Sequence, residues 1–298
     1  MGHKVVAERE LKLAVIGGSG LYQLRGSKLL REHVIETPFG PMSDPVREIE
    51  IEEKKVFFLA RHGQGHRYLP TEVPYRANIW GLKSLGVTHV LAVSAVGIMQ
   101  EYITPGEMVV PDQIFDRTKG MRPSTFFGEG LVGHVSFADP FCEELRQQII
   151  QASQESGAKT HDGGIYVCME GPAFSTRAES EFYRKTLNPS VIGMTAIPEA
   201  KLAREAELCY GMLALATDYD CWHATEEDVT VEAVLAVLHQ NTERAHQIVS
   251  RLARNLPSRT SCQELASAQN ALMTDRRVIP EGTKQKLEIL YGSYFAGR

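Results

Sequence analysis

The sequence lacks any long apolar run. No part of its 298 residues approaches the ~18 consecutive apolar residues of a membrane-spanning helix. The N-terminal segment, MGHKVVAERELKLAVIGG, has no apolar run of signal-peptide length before the first predicted strand. Basic residues are not in excess either, because the formal net charge is -5. We therefore expect neither a membrane nor a nucleic acid as partner.

Cysteine is scarce and scattered. The five residues are Cys142, Cys168, Cys209, Cys221 and Cys262. Because their number is odd and no two have the CxxC spacing, the sequence predicts neither a disulfide framework nor a zinc site. A reducing cytoplasm is the simplest location for such a protein.

Apolar strands and helical segments alternate along the chain. Strands are predicted in KLAVIGGSG (Leu13 to Ile16), KVFFLARHG, THVLAVSAVG, PGEMVVPDQIFDRT, GGIYVCMEGP, SVIGMT and CYGMLALATDYD. This alternation predicts an α/β fold with a mixed, mostly parallel central sheet flanked by helices on both faces. We expect one domain over residues 1–298, with a core at about 11–256 and a helical tail at 257–298. Polar residues recur at the strand ends, where open α/β folds bind ligands.

Two strand ends suit a phosphate. GGSG, Gly17 to Gly20, could cradle one with backbone N–H groups and the Ser19 hydroxyl, although a tight structural turn is the alternative. It matches neither the dinucleotide fingerprint nor a Walker A loop. In RHGQGH, Arg61 can bind phosphate oxygens bidentately, or lie in a surface turn. His62 and His66 have a zinc-like separation, but the glycines between them oppose a helix, so we expect no metal.

Two further strand ends carry hydroxyls. Ser94 in SAVG and Thr195 in GMT are, taken singly, more typical of turns than of ligands. With Ser19 and Arg61 they make a set of three hydroxyls and one arginine. That set suits an oxyanion bound without a metal.

The last apolar strand ends in two aspartates. If the strand runs through Tyr219, Asp218 and Asp220 face the same side and crowd each other. Burial and like charge both raise a carboxyl pKa. A neutral carboxyl offers one donor and one acceptor, which fits the N7 and 6-amino edge of adenine. A solvated loop or a helix cap is the alternative for Asp220. Phe174, in a turn, could stack on a base or belong to the core.

Together these motifs resemble the methylthioadenosine phosphorylases of the trimeric purine nucleoside phosphorylase superfamily. The matching segments run in unbroken order from about Leu11 to Leu252 and include GGSGLY, RHGQGHRYLPTEVPYRANIWGLKSLG, SAVG, EGPAFSTRAES, MTAIPEAKLAREAELCY and ATDYDCW. The resemblance implies phosphorolysis of 5′-methylthioadenosine to adenine and 5-methylthioribose 1-phosphate. It implies no cofactor, inorganic phosphate as co-substrate, and a homotrimer or a dimer of trimers.

The resemblance also implies roles for individual residues. Phosphate would contact Ser19, Arg61, His62, Ser94, Ala95 and Thr195. Met194 would meet the ribose, and Phe174, Asp218, Tyr219 and Asp220 would meet the base. Ser175, Val231 and Val234 match positions that govern selectivity, and His134 matches a residue lent by a neighbouring subunit. Asp218, supported by Asp220, is the expected proton donor to N7, although which aspartate holds the proton stays open.

Three other functions remain open at this stage. A phosphorylase for a 6-oxopurine nucleoside is disfavoured by Asp218, because an amide side chain suits O6 and N7 better. A nucleosidase, which uses water, is disfavoured by Arg61 and the three hydroxyls. A nucleoside-binding protein without catalysis is disfavoured by the completeness of the polar set.

Overall fold

The computed structural model describes residues 8–18, 21, 26–223 and 231–295, except for the side chains of residues 231–236 and 238–240. The helices are α1 (Tyr75–Ser84), α2 (Glu143–Glu155), α3 (Arg177–Leu187), α4 (Ala196–Glu205), α5 (Val231–Asn255), α6 (Glu281–Lys286) and α7 (Glu288–Phe295). Two short 3-10 helices lie at Gln263–Ala266 and Arg276–Val278. Among these described helices, none has the length and apolarity that a membrane span requires.

Thirteen strands occur in the described residues. They are β1 (Arg9–Glu10), β2 (Leu13–Gly17), β3 (Lys28–His33), β4 (Val46–Ile51), β5 (Lys54–Ala60), β6 (His89–Ile98), β7 (Met108–Val110), β8 (Gln113–Arg117), β9 (Thr160–Asp162), β10 (Ile165–Met169), β11 (Val191–Gly193), β12 (Cys209–Asp218) and β13 (Arg259–Thr260). β1 and β13 form a small ribbon, and the other eleven form one mixed sheet.

The centre of the sheet is β6. It pairs in parallel with β2 along its first half and with β12 along its whole length, and its last residues pair antiparallel with β11. The β6–β12 pairing ends with Asp218 opposite Gly97, after a bulge. β5 pairs in parallel with β2. The carboxyl ends of β2, β5, β6 and β12 therefore lie along one edge, where a ligand site is expected.

Both faces of the sheet are covered. Along β12, Met212 and Ala214 belong to one core while Leu213 and Leu215 belong to the other, as the two-residue period of a strand requires. Residues of α1, α4 and α7 complete the first core, and residues of α2 and α5 complete the second. The predicted α/β fold class is confirmed.

The predicted strands are present, but the sequence analysis missed β1, β3, β4, β9 and β13. It looked for unbroken apolar runs, whereas β4 alternates buried and part-exposed residues and β3 is exposed along most of its length. Both are antiparallel extensions at one margin of the sheet, where only one face needs apolar residues.

The expectation of no disulfide is wrong. Cys209 and Cys262 are joined although 53 residues separate them in the sequence. Cys209 begins β12 and Cys262 precedes the 3-10 helix at Gln263–Ala266, so only the folded chain brings them together. Linear spacing carries no signal of this kind of contact.

The buried core predicts the effect of a leucine truncation. Leu213→Ala, at a side chain that is 0% exposed, should lower the free energy of unfolding by roughly 2–5 kcal/mol, because it removes apolar contacts and leaves a cavity. The matched control Leu29→Ala, at a side chain that is 54% exposed, should change it by less than about 0.5 kcal/mol. Urea denaturation measures both, and equal losses would contradict the assignment of Leu213 to the core.

Candidate active site

Arg61 follows β5 and is fully buried against a carboxylate. Its Nε and Nη2 donate to the two oxygens of Glu199, each at 2.8 Å. The Tyr210 hydroxyl donates to the same carboxylate at 2.9 Å. Burial lowers the pKa of Arg61, but the charge and hydrogen bonds of Glu199, together with the nearby Tyr210 and Tyr75, outweigh burial and raise that pKa above its ordinary value, so Arg61 remains a cation.

The same guanidinium lies against the glycine turn after β2. Nη1 donates to the Val93 carbonyl at 3.1 Å, and Nη2 lies 3.5 Å from the Ile16 carbonyl. Of the five N–H donors of an arginine, the contacts within the described residues engage four and leave one on Nη1. A Cβ on Gly18 would lie 3.1 Å from Nη1, so a glycine is what allows the turn to approach this closely.

Two buried hydroxyls face each other beside Arg61. Ser94 Oγ of β6 and Thr195 Oγ1, the residue before α4, are 3.1 Å apart. The Cα atom of Ser94 would lie 3.5 Å from a Cβ on Gly18, which places these residues around one small volume. Ala95 follows in β6 and is half-buried. One cation, two hydroxyls and a glycine turn form a site suited to an oxyanion.

The imidazole of His62 is neutral. Burial, with the Arg61 charge as the second cause, lowers the pKa of His62 to about 4. Its Nδ1 lies 2.8 Å from the Tyr68 carbonyl, which can only accept, so Nδ1 carries the proton and Nε2 is an acceptor. The ring stacks on His66 with centroids 4.3 Å apart. His62 therefore adds no second positive charge near Arg61.

Asp218 is the last residue of β12. Its Oδ2 lies 2.6 Å from the Thr217 hydroxyl, and its Oδ1 accepts from the Asp220 backbone N–H at 3.0 Å. Burial raises the pKa of Asp218, and the Asp220 charge adds to this, while the two hydrogen bonds oppose it. The carboxyl therefore holds a proton at higher pH than an exposed aspartate does.

The strand does not continue through Tyr219, which corrects one premise of the sequence analysis. Asp220 has a left-handed backbone with φ of 51°, so the chain turns away from the strand at this residue. The alternation of side chains along a strand therefore does not place Asp220 on the same side as Asp218. Both side chains nevertheless converge. A Cβ on Gly97 would lie 3.3 Å from Asp218 Oδ1 and 3.5 Å from Asp220 Cβ.

Asp220 is buried, with Ser180 and Ser175 beside it. Burial raises the pKa of Asp220, and the two neighbouring serines oppose that rise. Ser175 therefore lies next to the aspartate pair. Tyr219 stacks on His223, with centroids 4.5 Å apart, and Phe174 is 47% exposed in the turn before α3. An exposed Phe174 disfavours the core alternative.

Met194 lies between β11 and Thr195, beside a glycine turn. A Cβ on Gly171 would lie 2.5 Å from its Sδ. Its carbonyl accepts from Arg122 Nη1 at 2.6 Å, and Arg122 Nε donates to Glu170 at 2.8 Å. A second buried ion pair therefore fixes the segment that carries Met194 and Thr195.

Some predicted site residues lie away from the oxyanion site and the aspartate pair, or outside the residues that the structure describes. Ser19 is outside the described residues, and so are the side chains of Val231 and Val234, whose backbone begins α5. His134 is exposed on a loop and lines a separate cavity of about 480 Å³ together with Thr125, Phe127, Lys201 and Glu205. The aspartate pair and the oxyanion site do not contribute to the lining of that cavity.

Several residues that hold the site were missed. They are Glu199, Tyr210, Arg122, Glu170, Thr217 and Ser180. Among these residues, only Glu199 could have been suspected from the sequence. It is a carboxylate two residues after the apolar Ile197, in the predicted helix that follows Thr195. Nothing in the sequence indicates that its partner lies 138 residues away.

Comparison with known proteins gives concordant matches. Residues 12–254 match the family model described as the phosphorylase superfamily. The chain is 53% identical to the S-methyl-5'-thioadenosine phosphorylase of Geobacter sulfurreducens, over 96% of this chain and 99% of that protein.

Solved structures show the same likeness. A methylthioadenosine phosphorylase from an Antarctic soil metagenomic library has a TM-score of 0.86 and 45% identity, covering 94% of this chain and 99% of that one. A methylthioadenosine phosphorylase from Schistosoma mansoni, in complex with adenine, has a TM-score of 0.78 and 38% identity, covering 82% of this chain and 91% of that one.

The buried pair of Arg61 and Glu199 predicts that two mutations at this point lower the free energy of unfolding by different amounts. Glu199→Gln leaves the Arg61 charge buried without its counter-charge, so the free energy of unfolding should fall by roughly 3–5 kcal/mol. Tyr210→Phe removes only one hydrogen bond to the same carboxylate and should cost about 1–3 kcal/mol. Denaturant unfolding of the two variants measures the difference. A smaller loss for Glu199→Gln than for Tyr210→Phe would contradict the role given to the pair.

Proposed function

The chain belongs to the phosphorylase superfamily, and from this premise we propose that it cleaves 5′-methylthioadenosine with inorganic phosphate, releasing adenine and 5-methylthioribose 1-phosphate. The observation that carries the proposal is the β6–β12 strand pair. β6 supplies Ser94 to the oxyanion site, and β12 ends in Asp218 opposite Gly97, three residues further along β6. An anion site and an acid site thus lie a few residues apart on one sheet edge.

The oxyanion site binds phosphate in this proposal. Arg61 donates from its remaining Nη1–H, and Ser94 and Thr195 contribute hydroxyls. The neutral His62 contributes an acceptor to the hydroxyl of hydrogen phosphate. Ser19 and Ala95 complete the site by resemblance to the family. Because Arg61 is already fixed by Glu199, little reorganisation accompanies phosphate binding.

The aspartate pair binds adenine. Breaking the glycosidic bond leaves negative charge on the base, so protonating N7 makes adenine a better leaving group. A buried Asp218 with a raised pKa is suited to donate that proton, and Asp220 supports it through its N–H. Phosphate stabilises the positive charge that develops on the ribose and then attacks C1′.

The remaining residues surround the sugar and the base. We place the Met194 side chain under the ribose, Phe174 and Tyr219 beside the base, and Ser175 next to Asp220. Val231 and Val234 would line the pocket for the methylthio group. No cofactor is needed, because phosphate is the second substrate.

Assembly and location complete the proposal. His134 is exposed and lines a cavity to which the aspartate pair of its own chain does not contribute, which supports a homotrimer in which His134 completes a neighbour's site, with a dimer of trimers as the larger form. We further propose a single domain over residues 1–298, with the core and tail boundaries given above, and a cytoplasmic location.

The acid role of Asp218 predicts a specific loss. Asp218→Asn cannot donate a carboxyl proton, so kcat/KM for methylthioadenosine should fall by ~10²–10⁴ while relative preference shifts toward 6-oxo analogues such as methylthioinosine. Asp275→Asn, at an exposed aspartate outside the proposed base and phosphate sites, is the control and should behave like the unmodified protein. Steady-state kinetics on both nucleosides measure the effect, and unchanged kinetics for Asp218→Asn would exclude the acid role.

The oxyanion site predicts a strict requirement for phosphate. Adenine release should be negligible in phosphate-free buffer and should rise with phosphate until it saturates. Arg61→Lys, which loses the planar fork, should raise the phosphate KM more than the nucleoside KM. Free methylthioribose formed at full rate without phosphate would show that water is the nucleophile and that the protein is a nucleosidase.

A further inference from the structure

Three cysteines from distant parts of the chain meet at one point, remote from the strand ends that hold the active site. Cys142 precedes α2, Cys209 begins β12, and Cys262 precedes the 3-10 helix that contains Glu264. The three sulfur atoms and a Glu264 carboxylate oxygen all lie within 4.8 Å of one another. The cysteines are buried, and Glu264 is partly exposed, so it forms the outer side of the cluster.

The disulfide accounts for only two of these four groups. With Cys209 and Cys262 joined, Cys142 Sγ still lies 2.9 Å from Cys262 Sγ, and Glu264 Oε2 lies 2.6 Å from the same sulfur. A disulfide between Cys209 and Cys262 needs neither a third buried thiol nor a carboxylate. The disulfide therefore leaves one buried thiol and one carboxylate of the cluster without an explanation.

We propose that the reduced cluster of Cys142, Cys209, Cys262 and Glu264 is a structural site for a thiophilic divalent cation, Zn²⁺. Zinc takes four ligands in tetrahedral geometry, and three sulfurs with one carboxylate oxygen make such a set. Sulfurs bound at ~2.3 Å lie ~3.8 Å apart in a tetrahedron, so Cys142 and Cys262 separate by roughly 1 Å on binding.

Binding requires the thiols to be free. A phosphine reductant cleaves the Cys209–Cys262 bond, each sulfur gains one electron and one proton, and the phosphine becomes its oxide with oxygen from water. Zn²⁺ then replaces one proton on each of the three thiols, releasing three protons, while Glu264 binds as a carboxylate. The metal carries no catalytic step, because none of the four ligands belongs to the active site.

Metal binding would hold the C-terminal segment against the rest of the fold. The ligands would join the N-terminal end of α2, the first residue of β12 and the segment after β13. Cys142 and Cys262 are 120 residues apart in the sequence, so metal would tie the tail to the central sheet. This departs from the sequence analysis, which predicted no metal from the spacing of the cysteines.

The test uses the full-length protein, reduced with a phosphine and titrated with Zn²⁺ or Co²⁺. One equivalent of Co²⁺ should bind with the sulfur-to-cobalt absorption of a tetrahedral thiolate site, and saturation with Zn²⁺ should raise Tm by about 5 °C or more. Cys142→Ser is the decisive variant, because it removes a thiol that the disulfide does not use. Its affinity for Zn²⁺ should fall by more than the ~10–100-fold typical of outer-shell changes. Cys221→Ser, outside the cluster, is the matched control and should bind like the unmodified protein.

Clear outcomes overturn the proposal. Absence of stoichiometric Co²⁺ binding in the reduced protein would do so, as would a Cys142→Ser variant with undiminished Zn²⁺ affinity. A Cys209–Cys262 disulfide that persists under the reductant, detected by mass spectrometry of peptides, would also exclude the site. If Cys142→Ser does not fold, Glu264→Gln gives the same test with all thiols intact, and the cobalt spectrum of the unmodified protein needs no variant.

Discussion

The buried pair of Arg61 and Glu199 is the interaction on which the site depends. It joins the end of β5 to the first turn of α4, and further bonds from the same two side chains reach β2, β6 and β12. A fully buried guanidinium is tolerated only because its charge and most of its N–H groups are satisfied. Within the described residues, the same contacts leave one N–H of Nη1 for the phosphate that we propose, so the groups that make burial tolerable also prepare the anion site.

Burial also changes the acidity of Asp218 and Asp220. An exposed aspartate is ionised near neutral pH and cannot act as an acid, whereas burial raises the pKa of both Asp218 and Asp220. Thr217 and the Asp220 N–H limit that rise and orient the Asp218 carboxyl. The bulge that ends the β6–β12 pairing lets both side chains approach Gly97, where no side chain blocks them.

Much of this could be predicted from the sequence, and the failures have physical reasons. Apolar runs identify the strands of the sheet centre because those strands are buried on both faces, whereas β3 and β4 at the margin lack that pattern. Arg61 and Asp218 were predicted because a parallel sheet gathers strand ends at one edge, whereas Ser94 lies inside β6, which continues to Ile98 instead of ending at SAVG. Glu199, Arg122 and the cysteine cluster were missed because their partners are defined only by long-range packing.

The most direct test of the account follows the oxygen atoms of phosphate. Methylthioadenosine should be incubated with phosphate labelled with ¹⁸O at all positions, and the products examined by ³¹P NMR and mass spectrometry. The account predicts equimolar adenine and a sugar 1-phosphate that keeps every labelled oxygen, because a phosphate oxygen forms the new bond to C1′. Free methylthioribose with an oxygen from the solvent, and phosphate left unused, would contradict it.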